Sequence, residues 1–194
     1  MKISPILTQL RDYCPSLAQR VSVGIDPPAL QSPTPVQTPC AQVRGLGDRA
    51  AENKAQNATC QIIRDRFAVL LVVDATQGAA ALDQLHELRA EVWCALVGFR
   101  PGSGYAGVEY GGGEWLALDA QRGLYQLDFF AECQLGRRQA KDPAQTWQEH
   151  ELDGLPSLSG VTVRVDAIDP ADPNLQRPGP DGRLEVVFSG ELNP

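Results

Sequence analysis

Lysine is almost missing from this chain. Of 17 basic residues only three are Lys, at positions 2, 54 and 141, against 24 acidic residues and a formal net charge of -7. A balance of this sign argues against a dedicated nucleic-acid binder, which carries a basic face, and against a polybasic membrane anchor. Histidine is as scarce, occurring only at 86 and 150. Neither His86, on the border of an apolar helical stripe, nor His150, in a polar stretch, stands in a motif with a nucleophile and an orienting acid, and G-x-S-x-G and H-E-x-x-H are both missing. No catalytic residue is therefore assigned, and an enzyme is not expected. The cysteines, at 14, 40, 60, 94 and 133, include no C-x-x-C pair and no nearby His to complete a zinc set. They are expected to be reduced and mostly buried. No apolar run approaches the roughly 20 residues of a membrane helix, and "MKISPILTQL" lacks the apolar core of a secretory signal. No metal and no cofactor is expected.

What is present is a pattern of strands and helices. A chain of 194 residues is most simply one domain, or one domain with an appendage. Ser4 and Pro5 supply an N-cap and a first helical position, and Ile6, Leu7, Leu10, Cys14 and Leu17 then recur at helical spacing. A short strand over 20–25 follows, then the Pro-rich connection 26–39, a second strand over 40–46 and a polar loop over 47–59. "CQIIRDRFAVLLVVD" (60–74) turns continuously apolar from Phe67 to Val73, which predicts a strand that starts exposed and ends covered on both faces. The segment 79–97 predicts a long amphipathic helix, with Leu82, Leu85, Arg89, Val92, Trp93 and Leu96 on the buried stripe, Gln84, Glu87 and Glu91 off it, and Gly98 ending it. In "GLYQLDFFAECQL" (123–135), Tyr125, Leu127, Phe129, Ala131 and Cys133 on one face alternate with Gln126, Asp128, Glu132 and Gln134 mostly on the other, as in a half-buried antiparallel strand.

Gly102, Gly104 and Gly107 spell the G-x-G-x-x-G of nucleotide-binding loops. Such a loop works when a strand leads into it and a helix N-terminus receives it. Here the order is helix, loop and then a strand over 107–119 interrupted by Gly111, Gly112 and Gly113. "GSGYAGV" also fits the kinase glycine loop, but no Lys lies between 54 and 141, and H-R-D and D-F-G are missing. The glycines are read as a hinge-like loop and a bulge, without a bound nucleotide.

The C-terminal part is polar and aperiodic over 138–159 and is read as a linker. Two strands, 161–168 and 183–190, then flank a Pro-, Asp- and Gly-rich loop and form a hairpin extension over 160–194. Asp166, Asp169 and Asp172 lack the Gly and Glu positions of a calcium loop and read as turn and cap residues. The expected architecture is α+β: a main domain over 1–137, in which a mostly antiparallel mixed sheet carries two main helices on one face, followed by linker and hairpin.

"QIIRDRFAVLLVVD", "ALDQLHELRAEVWCALVGF", "EYGGGEWLALD" and "LYQLDFFAE", in this order and at these intervals, resemble the tail terminator proteins of long-tailed bacteriophages, of the kind found in Mu-like transposable phages and related prophages. The resemblance covers residues 3–135. It implies a virion structural protein, assembled in the host cytoplasm and placed in the neck region of the tail. The implied assembly is a homohexameric ring at the head-proximal end of the tail tube that stops tube polymerisation and meets the head connector. Implied partners are further copies of the chain, the tail tube protein and the connector or stopper protein. Genome DNA would pass through the lumen without specific binding, past walls expected to be richer in Asp and Glu than in Arg; no membrane is involved. The alternatives are another neck, head-tail joining or tail assembly protein, and an unrelated binding module.

Overall fold

A computed structural model of the chain describes residues 1–24, 37–156, 160–165 and 186–191. Most of the Pro-rich connection 26–39 lies outside the described residues, as do Asp166, Asp169 and Asp172. The chain divides into two compact units, Met1–His150 and Glu151–Pro194.

The first unit opens with α1 (Ser4–Tyr13), with Pro in its first turn where the lost N–H has no partner to miss; Ile3, not Ser4, is the N-cap, and no side chain caps it. A tight turn at Pro15–Leu17 and left-handed residues at Ala18 and Gln19 reverse the chain into β1 (Val21–Val23). Arg11 clamps this turn, its guanidinium donating to the Val21 carbonyl at 2.6 and 3.2 Å.

Four longer strands complete a sheet: β2 (Cys40–Ala50), β3 (Gln61–Asp74), β4 (Glu109–Leu118) and β5 (Arg122–Leu135). Their order is β1-β2-β3-β5-β4, with β1 parallel to β2 and every other pair antiparallel. The sheet is therefore mixed and mostly antiparallel, as the pattern predicts, with β3 at its centre. Strand β2 is longer than expected. It runs through Gly47–Ala50, four positions of the expected loop, because a bulge between Gly45 and Gly47 absorbs the break in pattern and pairing with β3 resumes as far as Ala50 opposite Ile63.

Helix α2 (Ala79–Leu96) and α1 cover one face of the sheet. Phe67, Val69, Leu71 and Val73 point into this layer together with Tyr125, Leu127, Phe129 and Ala131, and Phe67 stacks on Phe129 with centroids 5.5 Å apart. The buried stripe of α2 is Ala81, Leu85, Leu88, Val92, Ala95 and Leu96. Leu82, expected on this stripe, is instead 56% exposed, because the 4-3-4-3 spacing of the buried set leaves it one position off the inward line. Arg89 is half-buried, its guanidinium over the rings of Trp93 and Tyr125 at 4.8 and 5.2 Å.

The other face also has buried apolar residues, Cys40, Leu70, Val72 and Leu124. Gln126, expected on the polar side of β5, is buried there (6% exposed), accepting from Arg44 and donating to Asp128 at 2.7 Å. Within the stretch expected as a linker the chain forms α3 (Trp147–Asp153). In the second unit β6 (Gly160–Val165) pairs antiparallel with β7 (Val186–Glu191), giving the expected hairpin; Val163 lies opposite Phe188, and both are exposed.

Candidate assembly surface

The glycines of G-x-G-x-x-G lie in the loop between α2 and β4, so the order helix, loop, strand holds in the fold. Gly104 has φ +91°. A Cβ on Gly107 would lie 3.0 Å from the Cα and carbonyl oxygen of Gly98, so glycine is needed for two backbone segments to touch. Around that contact Gly98 N–H donates to Val108 at 2.9 Å and Val108 N–H donates to Phe99 at 2.8 Å, while Ala106 N–H donates to Glu132 at 2.8 Å. The motif thus sews the end of α2 to β4 and β5.

Beside this loop the Tyr105 hydroxyl and the Met1 ammonium both donate to Asp65, the latter at 2.7 Å. Burial pushes the Asp65 carboxyl upward, but these two hydrogen bonds and the ammonium charge outweigh it and hold its pKa below the ordinary range. Burial, with the hydrogen bond to Asp65, drives the Tyr105 hydroxyl upward. A hollow of about 330 Å³ next to it is lined by Ile62, Arg100, Tyr105, Cys133, Gln134 and Arg138.

The other residues singled out in the sequence do not converge. His86 is exposed on α2, and His150 lies in α3 with its ring 5.3 Å from that of Trp147. All five cysteines are free; Cys14 and Cys40 are buried, Cys133 is intermediate, and Cys60 and Cys94 are exposed, so "mostly buried" is corrected to two of five. Burial, with Glu91 and Cys94 nearby, pushes the Cys14 thiol up to about 12, which keeps it protonated and inert. Among the described residues no group of three or more His, Cys, Asp or Glu is placed to hold a metal, and no helix is long and apolar enough to cross a membrane.

Glu149, inconspicuous in the polar stretch of the sequence, organises the end of β5. Its carboxylate accepts from the backbone N–H of Arg137 at 2.6 Å, of Gln145 at 2.8 Å and of Thr146 at 3.1 Å. Those bonds, the Arg137 one foremost, hold its pKa below the ordinary carboxylate value. Thr146-Trp147-Gln148-Glu149 is a capping box, and the T-x-x-E pattern was the signal for it.

Two surfaces of the first unit are suited to protein contact. Strand β4 is an edge of the sheet, broken by register shifts at Tyr110/Gly112 and Trp115/Ala117, and leaves Trp115, Leu116 and Leu118 exposed. The far ends of β2 and β3 carry arginines on the face away from the helices. Arg49 lies opposite Arg64 and Gly47 opposite Arg66, and the three Arg side chains line a hollow of about 200 Å³ with Asp128 and Phe130. Arg64 pairs with Glu132 at 2.6 Å and lies 4.3 Å over the Phe130 ring, whereas Arg66 comes no closer than 3.8 Å to Asp128.

Residues 1–140 match a family model described as "Phage tail terminator protein". No curated protein matches the chain. A chain of the solved structure "Virion of native gene transfer agent (GTA) particle" is similar, at 18% identity and TM-score 0.48, over 66% of this chain and 91% of that one.

Proposed function

Because this chain belongs to the phage tail terminator family, and is thereby a structural protein of a phage tail, we propose that it closes the head-proximal end of the tail tube. About six copies form a ring there, stop tube polymerisation, and offer a second surface to the head connector in the neck of the virion. Genome DNA passes through the lumen without being held.

The observation that carries this reading is the extent of the family match. Residues 1–140 take in the whole five-stranded sheet and both helices packed on it. The physics of capping agrees with the surfaces available. A closed ring satisfies its own lateral contacts, docks on the last tube ring through one face, and presents another that does not repeat the tube's own. The exposed apolar residues of β4 give such a protein material for contact without an active site.

The test is to add the purified protein to polymerising tail tube protein and measure tube lengths and ends by negative-stain microscopy. Short tubes with a ring at one end, at a stoichiometry far below one per tube subunit, are expected. Unchanged tube lengths with bare ends would sink the terminator reading and favour a neck or joining protein.

A further inference from the structure

The two broad faces of the first unit carry charge of opposite sign at different places. On the sheet face away from the helices, Arg49, Arg64 and Arg66 line one hollow. Arg64 is engaged with Glu132, Arg66 is only loosely matched by Asp128, and among the described residues Arg49 makes no ion pair. On the opposite side of the domain, the outward face of α2 presents Asp83 and Glu87, both exposed, with exposed Leu82 beside them. The one arginine of α2, Arg89, is turned over Trp93 and Tyr125, exposed His86 lies between the two carboxylates in sequence, and Glu91 is taken by the Ser16 hydroxyl at 2.5 Å. The outer face of α2 therefore offers uncompensated negative charge, and the sheet face offers unspent positive charge.

Spacing matches as well as sign. Asp83 and Glu87 stand four residues apart on a helix, about 6 Å between their Cβ atoms. Arg49 and Arg66 are diagonal neighbours across β2 and β3, a separation of about 7–8 Å. Each guanidinium can take one carboxylate, and exposed Arg49 has its donors free for a bidentate pair.

We infer that neighbouring copies in the ring join sheet to helix: the hollow formed by Arg49, Arg64 and Arg66 on one copy receives the Asp83 and Glu87 carboxylates on α2 of the next. The contact presupposes the ring proposed above. A ring requires two different surfaces on each subunit, each complementary to the other and turned to opposite neighbours, and a two-layer domain with arginines behind the sheet and carboxylates on the helix layer supplies them. Chains of net charge -7 repel one another, so a local match of this kind is also what lets acidic copies sit side by side. DNA is the competing occupant of the arginines, but a channel wall that held phosphates would hinder passage.

Charge reversal tests this by mass photometry of the full chain, free and on tail-tube ends. Arg49→Glu with Arg66→Glu leaves both faces acidic, and Asp83→Arg with Glu87→Arg leaves both basic. Each variant alone is expected to remain at the monomer mass of 21.0 kDa. An equimolar mixture of the two should regain rings, because acidic and basic copies can alternate, and the fourfold variant should do so unaided. Arg49→Glu alone changes an exposed residue and serves if the double variant melts early; it should weaken the ring measurably. Wild-type rings should loosen as salt is raised. Wild-type rings with the reversed variants assembling normally would overturn this contact and leave the ring reading intact. Rings lost on reversal but not regained in the mixture would show that α2 is not the partner face. Reversal that abolishes DNA binding without touching assembly would assign the arginines to DNA. A wild-type chain that stays monomeric both free and at tube ends would remove the ring, and this contact with it.

Discussion

Trp93 and Tyr110 meet edge to face, their ring centroids 5.3 Å apart and their planes at 67°. Tyr110 in turn lies 5.5 Å from Phe129, which stacks on Phe67, so one aromatic chain runs from α2 through the edge strand β4 to the centre of the sheet. This is the joint that keeps an exposed edge strand in register with the helix layer, and it sets the first prediction.

Trp93→Ala should cost about 2–4 kcal/mol, toward the lower end of large aromatic truncations because Trp93 is only partly buried. Trp93→Phe should be far milder, since it keeps a ring against Tyr110 and removes an indole N–H that has no hydrogen-bond partner among the described residues. Urea melts of the two variants check this. An unchanged midpoint for Trp93→Ala would mean that the contact does not hold β4 to α2.

Much of this joint was legible in the sequence, for local reasons. The run Phe67–Val73 announced a strand covered on both sides, and it is the central one. The stripe of α2 is visible through Leu85, Val92 and Leu96, but Leu82 mimics a member of it, because a large apolar residue can lie beside a stripe without belonging to it. Cross-strand relations were not legible. Arg64 finds Glu132 across 68 positions of chain through a register that only the folded sheet defines. The polar side chain of Gln126 reads as outward-facing in the sequence because its burial depends on Leu70 of the adjacent β3 and on Arg44, which reaches it from β2. The arginine hollow is of the same kind: three residues at separate positions become one surface only once β2 and β3 are paired.

Gly136→Ala should be among the most damaging single changes. Gly136 has φ +101°, and a Cβ there would lie 1.9 Å from the Thr59 carbonyl oxygen, a backbone atom that cannot swing aside. Left-handed strain and that clash together should cost at least about 2 kcal/mol. Thermal unfolding of the variant checks it; a melting temperature within a degree of wild type would mean that the 51–60 segment does not pack on the end of β5.

Glu149 should give the protein an acid limb of stability. Its folded-state pKa lies below the ordinary carboxylate value of 4.5 because backbone N–H groups, that of Arg137 foremost, donate to its charged form. The unfolded chain therefore takes up the proton first. The contribution of Glu149 is present above about pH 4.5 and is lost as pH falls from there through the lowered value. Melting temperatures measured from pH 7 to pH 3 should fall less steeply for Glu149→Gln than for wild type, from a lower start at neutral pH. Parallel curves would show that those hydrogen bonds do not persist in solution.

The last prediction concerns where the main domain ends. Composition sets that boundary at 137, but the contacts run further. Arg137 N–H is held by Glu149 at 2.6 Å and Gly136 N–H by Gln145 at 3.2 Å. Thr59 donates to Gln148 at 3.2 Å, and Gln148 donates back to the Asn57 carbonyl at 3.3 Å. Segment 145–149 thus ties the end of β5 to the 51–60 loop, and a chain stopped at 137 leaves the Gly136 and Arg137 donors without these acceptors. A chain of residues 1–156 keeps α3 and every one of these bonds. It should unfold in one cooperative transition, and a chain of residues 1–137 should melt lower by about 5 °C or more. Calorimetry on the two pieces and the full chain decides it. Equal melting temperatures for the two pieces would put the end of the stable domain at β5 and leave α3 as part of a linker, whereas the expected drop would make α3 the last element of the domain.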